Sequence, residues 1–190
     1  MPAAPMPRDE PARLLALRRS GCMLTGADPR FDDIVRRAAA AAGTEVAAVS
    51  LVGENIQIFK AAVGFGVPYT SRDVSFCAYV ILGTDPLVVL DAVQDPRFAD
   101  NALVLGPPYI RFYLGLPVFG PAHVPFGALF VLDSTPWISV SPALTQTLWA
   151  LAEETSRLLA APDASAKDKQ KDQEESSFSE EKEAKRLLFI

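Results

Sequence analysis

Alternating apolar and polar residues predict a sheet, and its first two strands are the easiest to recognise. Residues 46–52 and residues 56–63 are rich in alanine, valine and isoleucine, and only Gly53-Glu54-Asn55 separates them. A connection this short predicts an antiparallel hairpin. The next segment, residues 64–73, holds two glycines and a proline close together and therefore predicts a loop.

Three further strands are predicted later in the chain. Residues 87–90 are a short apolar run bounded by Asp-Pro and Asp, which indicates a buried strand. Residues 126–132 are apolar throughout, as expected for a central strand covered on both faces. Alternation begins at residue 109, with Ile110, Phe112, Leu114 and Leu116 on one face and Tyr109, Arg111, Tyr113 and Gly115 on the other.

Helical spacing of apolar residues predicts helices around this sheet. Asp-Pro and Ser-Pro pairs mark several starts, because the acidic or hydroxyl side chain accepts free N–H groups and proline suits the first helical position. The predicted helices cover Glu10–Arg19, residues 28–43, residues 75–83, a segment beginning at Asp95-Pro96, and residues 141–161.

These elements sum to an α+β fold, with a central antiparallel sheet flanked by N- and C-terminal helices. Residues 1–25 are predicted to be an extension with one short helix, and residues 26–161 the folded domain. Residues 162–190 carry many charges of both signs and few apolar side chains. Such a composition cannot bury a core, so we predict a disordered tail.

Composition and charge argue against several classes of function. The 190 residues carry a formal net charge of −5, and lysine and arginine are scattered, so we do not expect nucleic-acid binding. No apolar run approaches the ~18 residues that cross a bilayer, so no membrane span is expected. Two cysteines make neither a disulfide framework nor a zinc site, and no secretory signal is evident, so a reducing, cytoplasmic location is expected.

One long stretch of the sequence resembles a known family of domains. It reads SFCAYVILGTDPLVVLDAVQDPRFADNALVLGPPYIRFYLGLPV from Ser75 and is followed by FGALFVLD. These strings resemble GAF domains, in particular a subgroup with the patterns SFCAHAI, DPRFADNPLV, IRFYAGAPL and LGTLCVID. The resemblance extends from about Phe31 to Leu159 and so covers most of the chain.

The resemblance implies a non-catalytic sensory or regulatory module of signal transduction. A small molecule is expected between the sheet and the segment 67–105, with a separate signalling output protein as partner. The sequence identifies neither that ligand nor any cofactor. The ligand-binding residues that we predict are Phe59, Phe76, Cys77, Tyr79, Phe98, Arg111 and Tyr113.

Two departures from the family pattern argue against catalysis. Tyr79 stands where the family has histidine, and a phenol with a pKa of about 10 cannot act as a base near pH 7. Phe130 stands where the family often has cysteine, which leaves only Cys22 and Cys77 for thiol chemistry. A thiol-dependent enzyme, or a chromophore carrier through Cys77, is therefore an alternative that we do not favour.

A second alternative is a ligand-free dimerisation or interaction scaffold with a degenerate pocket. The leucine-rich helices at 10–19 and 142–159 could pack across a two-fold axis into a homodimer. Arg111 could bind an anionic ligand, but pairing with Asp91, Asp95 or Asp133 is favoured.

Two other features argue against particular kinds of site. His123, the only histidine, lies in a proline-rich connection and is expected to be exposed and inert. No acidic spacing indicates a metal site.

Overall fold

The computed structural model describes residues 3–161, and within them one six-stranded antiparallel sheet has the order β3-β2-β1-β6-β5-β4. The predicted charged tail at residues 162–190 lies outside the described residues. The strands are β1 Val46–Val52, β2 Ile56–Val63, β3 Tyr69–Ser71, β4 Leu87–Val89, β5 Phe112–Phe119 and β6 Pro125–Asp133.

Three helices of 10 to 19 residues and two one-turn helices surround the sheet in this part of the chain. The helices are α1 Glu10–Arg19, α2 Asp32–Ala42, α3 Cys77–Val80, α4 Ala102–Leu105 and α5 Pro142–Ala160, with 3-10 turns at Pro29–Phe31, Arg72–Val74 and Pro121–His123. Gly43 ends α2 in the left-handed conformation, at φ 69°, as its position in the sequence predicts. The predicted α+β fold with one central antiparallel sheet is confirmed.

The sheet separates two hydrophobic clusters. On one face, α2 and α5 cover strand residues such as Leu114, Leu116 and Leu129. On the other face, the segment from α3 to α4 covers strand residues that include Tyr113 and Phe130. Alternation along β5 therefore assigns neighbouring residues to opposite clusters, as predicted.

The hairpin of β1 and β2 forms over the predicted residues, whereas two edge strands differ from prediction. Residues 69–71 were expected to be loop, but they pair with β2 as the edge strand β3. The run at 87–90 was expected to be buried; β4 is instead the opposite edge, where Val88 and Leu90 are 41% and 37% exposed. A run of apolar residues alone does not distinguish an edge from a central strand.

The segment from 91 to 111 is more irregular than predicted. The Asp95 carboxylate accepts the Arg97 N–H at 2.9 Å, but a series of turns follows, and regular helix begins only at Ala102. Tyr109 adopts a positive φ of 58° just before β5. Ile110 consequently packs in the same cluster as Tyr113, not with Phe112 as the alternation predicted.

Candidate functional site

Five of the seven predicted ligand-binding residues come together where the segment 67–105, which we call the cap segment, packs on the sheet. The rings of Phe76 and Phe98 stack at a centroid distance of 4.0 Å and an angle of 7°. Tyr113 lies 5.0 Å from Phe76, and Tyr79 lies 4.9 Å from Phe98 with its ring edge-on. Cys77 is packed among them. These residues form the aromatic cluster, which is closed to solvent apart from half-buried Tyr79.

Phe59 joins this cluster through Phe130. The Phe130 ring is 5.4 Å from Tyr113 and 6.3 Å from Phe59, so the rings form a continuous row across the sheet. Phe130 was not among the predicted ligand-binding residues, although it stands where related sequences often have cysteine. Its position on β6 could have predicted this, because alternate residues of a strand share a face and Ala128 and Leu132 are buried in the same cluster.

Arg111, the seventh predicted residue, is engaged elsewhere. Its guanidinium donates to both carboxylate oxygens of Asp91, at 2.7 and 2.9 Å. This hydrogen bonding lowers the pKa of the Asp91 carboxyl. The side chains are 34% and 23% exposed, so the pair lies at the margin of the cap segment and fixes residue 91 to the start of β5. Of the three carboxylates predicted as possible partners, Asp91, Asp95 and Asp133, it is Asp91 that Arg111 contacts.

The thiol of Cys77 lies at the centre of the aromatic cluster, 1% exposed, with its Sγ 3.2 Å from the hydroxyl of Tyr113. Burial raises the pKa of Cys77, and the hydroxyls of Ser50, Tyr113 and Ser75 offset this only in part. Burial and the neighbouring thiol together raise the pKa of Tyr113 well above its ordinary value. Both groups are therefore neutral at pH 7, and a neutral, enclosed thiol is a poor nucleophile.

Polar residues that the sequence analysis missed surround this thiol. The Ser75 hydroxyl donates to the Gln57 side-chain oxygen and accepts the Ala78 N–H at 3.1 Å. The Ser50 hydroxyl favours ionisation of the thiol through a weak contact, and it makes no well-formed hydrogen bond with the residues described. In the sequence, Ser50 could have been noticed as the one polar residue within the apolar run of β1.

Gly115 determines where the Tyr113 ring lies. Both residues are on β5, two positions apart, so they face the same side of the sheet. A Cβ at Gly115 would be 2.5 Å from the Tyr113 hydroxyl oxygen and 2.6 Å from a ring carbon. The missing side chain therefore lets the ring lie along its own strand, with its hydroxyl beside Cys77.

Other chemistry-bearing residues lie apart from this cluster. His123 is exposed and stacks on Phe119, with ring centroids 3.8 Å apart. Within residues 3–161, no group of three His, Cys, Asp or Glu side chains is arranged to hold a metal ion. None of the helices in that range is long and apolar enough to span a membrane.

Comparison with solved structures shows what this fold resembles. A GAF domain from an Acinetobacter phosphoenolpyruvate-protein phosphotransferase superposes with a TM-score of 0.55 at 21% identity, covering 78% of this chain and 92% of that one. The cyanobacteriochrome receptor PixJ gives a TM-score of 0.57 at 16% identity, covering 76% of this chain and 97% of that one. Both likenesses concern the fold alone.

Comparison with curated proteins adds a relative by sequence. A cyclic di-GMP phosphodiesterase of Pseudomonas aeruginosa is 39% identical over 136 residues, which are 72% of this chain. The chain spans only 23% of that protein's length. The family model for the GAF domain matches residues 27–161, most of the described structure. The chain belongs to the GAF domain family.

Proposed function

We propose that this domain is a non-catalytic regulatory module of a signalling protein, and that it binds a small molecule within the aromatic cluster. The Cys77 thiol supports the first part, because it is enclosed, neutral and without a neighbouring base. Tyr79 occupies the position where an imidazole would be needed, and only a phenol is available there.

The burial of the Ser50 hydroxyl is the main support for a bound ligand. The hydroxyl is 0% exposed, and beyond a weak contact with the Cys77 thiol it makes no hydrogen bond among residues 3–161. A buried hydroxyl without a partner costs about 1–3 kcal/mol, and sites that are retained at such a cost are often functional. A ligand with one polar group and an aromatic or apolar body would satisfy this hydroxyl and replace ring contacts within the cluster.

The cap segment is built in a way that allows such a ligand to enter. Between β3 and β5 it contains only one-turn helices, the three-residue strand β4 and turns. Most of their backbone hydrogen bonds join residues three or four apart in the chain, and segments held by such local bonds open at lower free energy than central strands. Binding would order the cap segment and shift the population of its conformations, which is how a ligand regulates a partner.

A regulatory role is also supported by the kind of protein in which a related sequence occurs. The Pseudomonas aeruginosa relative is named for phosphodiesterase activity, and the matched region is 23% of it. We infer that this domain acts on a separate output domain or protein of cyclic-nucleotide signalling, and that catalysis belongs to that partner.

The packing of the rings favours a second candidate function, a scaffold without ligand. Phe76, Phe98, Tyr113 and Phe130 contact one another and occupy the space where a ligand would lie. In this alternative the domain acts as a homodimer through α1 and α5, and the cluster serves stability alone.

Native mass spectrometry of the chain purified from the organism that produces it separates the two candidates. Ligand binding predicts a mass excess that is lost on denaturation and is reduced in the variant Ser50→Ala. A dimer with no added mass contradicts ligand binding and supports the scaffold. A mass excess that survives denaturation indicates covalent attachment and contradicts the neutral, unreactive Cys77.

A further inference from the structure

A separate cavity of about 490 Å³ lies at the β2 edge of the sheet, outside the aromatic cluster. Its volume is within the range of small-molecule sites. Three stretches of chain form its walls: residues 23–27, residues 58, 59, 61 and 62 of β2, and residues 65–69. Phe59 is the one predicted ligand-binding residue that it shares with the cluster.

The cavity exists because β3 covers only part of β2. The two strands pair from Ile56 to Ile58, and the last bond between them joins the Phe59 N–H to the Pro68 carbonyl at 3.0 Å. Beyond this point the chain diverges from the strand. The next β2 positions toward the cavity are alanines, and an added Cβ at Gly26 or Gly66 would meet no atom within 4 Å.

The wall formed by residues 22–28 is held in place by a buried lysine. Lys60 is 1% exposed, and its ammonium donates to the carbonyls of Cys22 and Thr25 at 3.2 and 2.9 Å and to the Thr25 hydroxyl at 2.6 Å. Its own carbonyl accepts the Asp28 N–H at 2.6 Å. A buried ammonium is stable only when its donors are satisfied, so this wall is a fixed part of the structure.

The chemistry of the lining selects a class of ligand. Phe59, Phe65 and Tyr69 contribute aromatic rings, and Phe59 contacts Phe65 edge-on at 5.0 Å. None of the described residues that line the cavity carries a charge. Large apolar side chains remain in contact with solvent at its rim, where Leu24 is 83%, Val67 45% and Tyr69 60% exposed.

We propose that this edge cavity is a second binding site, specific for a planar, uncharged, largely apolar molecule of one or two rings. Such a ligand would stack against the aromatic walls and remove the exposed rim residues from water. It would meet no charged group that requires a counter-charge. Apart from Phe59 the site is separate from the aromatic cluster, and it does not require the ligand proposed there.

Indole tests this proposal, because it is planar, uncharged and of suitable size. Binding to the full chain is measured by saturation-transfer and chemical-shift NMR. Gly26→Leu and Gly66→Leu each add a side chain to the cavity lining at an unstrained glycine, and both should weaken indole binding on the order of tenfold or more. Gly83→Leu, at an unstrained glycine outside the cavity, should leave binding unchanged.

Ser50→Ala serves as the control that separates this site from the aromatic cluster. Indole binding that survives Ser50→Ala but is lost in both glycine variants supports the edge cavity. Binding that is lost in Ser50→Ala and retained in the glycine variants overturns the proposal and places indole in the cluster. Absence of indole binding up to its solubility limit overturns it as well.

Discussion

The carboxylate of Glu10 in α1 accepts a hydrogen bond from the guanidinium of Arg72, at the start of the 3-10 turn in the cap segment. The same carboxylate accepts two bonds from Arg13, at 2.6 and 2.7 Å. All three residues are at most 8% exposed. One carboxylate thus balances two buried guanidinium groups and joins the N-terminal helix to the segment that covers the aromatic cluster.

Replacing Glu10 by Gln should destabilise the domain by about 3 kcal/mol, because two buried cations lose their counter-charge. The destabilisation should affect both elements that Glu10 joins, α1 and the cap segment. Hydrogen exchange is expected to accelerate in α1 and also at residues 72–81, since Arg72 fixes the beginning of that segment. Chemical unfolding and hydrogen-exchange mass spectrometry measure the two effects.

The exposed ion pair between Arg18 and Glu54 provides the matched control, because it also connects α1 to the sheet. Its side chains are 66% and 59% exposed, so Glu54→Gln should change stability by less than about 0.5 kcal/mol. Faster exchange in α1 of Glu10→Gln without any change at residues 72–81 would show that the helix and the cap segment are not coupled.

The Glu10 contact also predicts a pH dependence. Burial raises the pKa of Glu10, but hydrogen bonds and charge from Arg13 and Arg72 outweigh it, and the net pKa is lowered. A lowered carboxyl pKa contributes stability above the unfolded-state value of about 4.3 and loses it as the pH falls through the folded-state value. The stability difference between wild type and Glu10→Gln should therefore be constant near neutrality and shrink in acid. Urea unfolding at a series of pH values checks this; a difference that persists unchanged in strong acid would refute it.

Gly115→Ala should destabilise the domain by about 1–3 kcal/mol, because the new methyl group overlaps the Tyr113 ring. The penalty should be smaller in a Tyr113→Leu background, where the ring is absent. A double-mutant cycle by urea unfolding measures this coupling. Equal penalties in both backgrounds would mean that Gly115 is required for some reason other than the ring.

Ser50→Ala should leave stability unchanged or raise it by up to about 1 kcal/mol, since the hydroxyl loses no more than a weak contact with the Cys77 thiol. Ser75→Ala is the comparison, because that hydroxyl bonds to both Gln57 and the Ala78 N–H. Removing it should cost about 1–3 kcal/mol. If thermal unfolding shows Ser50→Ala to be as damaging as Ser75→Ala, the Ser50 hydroxyl is structural and the ligand proposal loses its main support.

Local sequence signals were sufficient for much of the fold. The hairpin of β1 and β2 follows from two apolar runs and a three-residue connection, and the end of α2 follows from Gly43. β3 was missed because three residues in a segment with glycine and proline carry almost no strand signal. Its pairing depends on the edge of β2, which is a tertiary property.

The site was less predictable than the fold. The family pattern predicted that Phe76, Cys77 and Tyr113 meet where the cap segment packs on the sheet, and they do lie together. It could not indicate the buried charges at Glu10 and Arg72, because such residues are normally exposed and become stable inside only through a partner far away in sequence. Here that separation is 62 residues.

If this domain regulates without catalysing, as proposed, the Cys77 thiol should be closed to reagents in the native protein. In a Cys22→Ser background, Cys77 is the only thiol. Labelling by N-ethylmaleimide should proceed only as fast as the cap segment or the whole domain opens, and should become complete in concentrated guanidinium chloride. Stoichiometric labelling of the native protein at the rate of a free cysteine would contradict the proposed non-catalytic role and make Cys77 a candidate nucleophile.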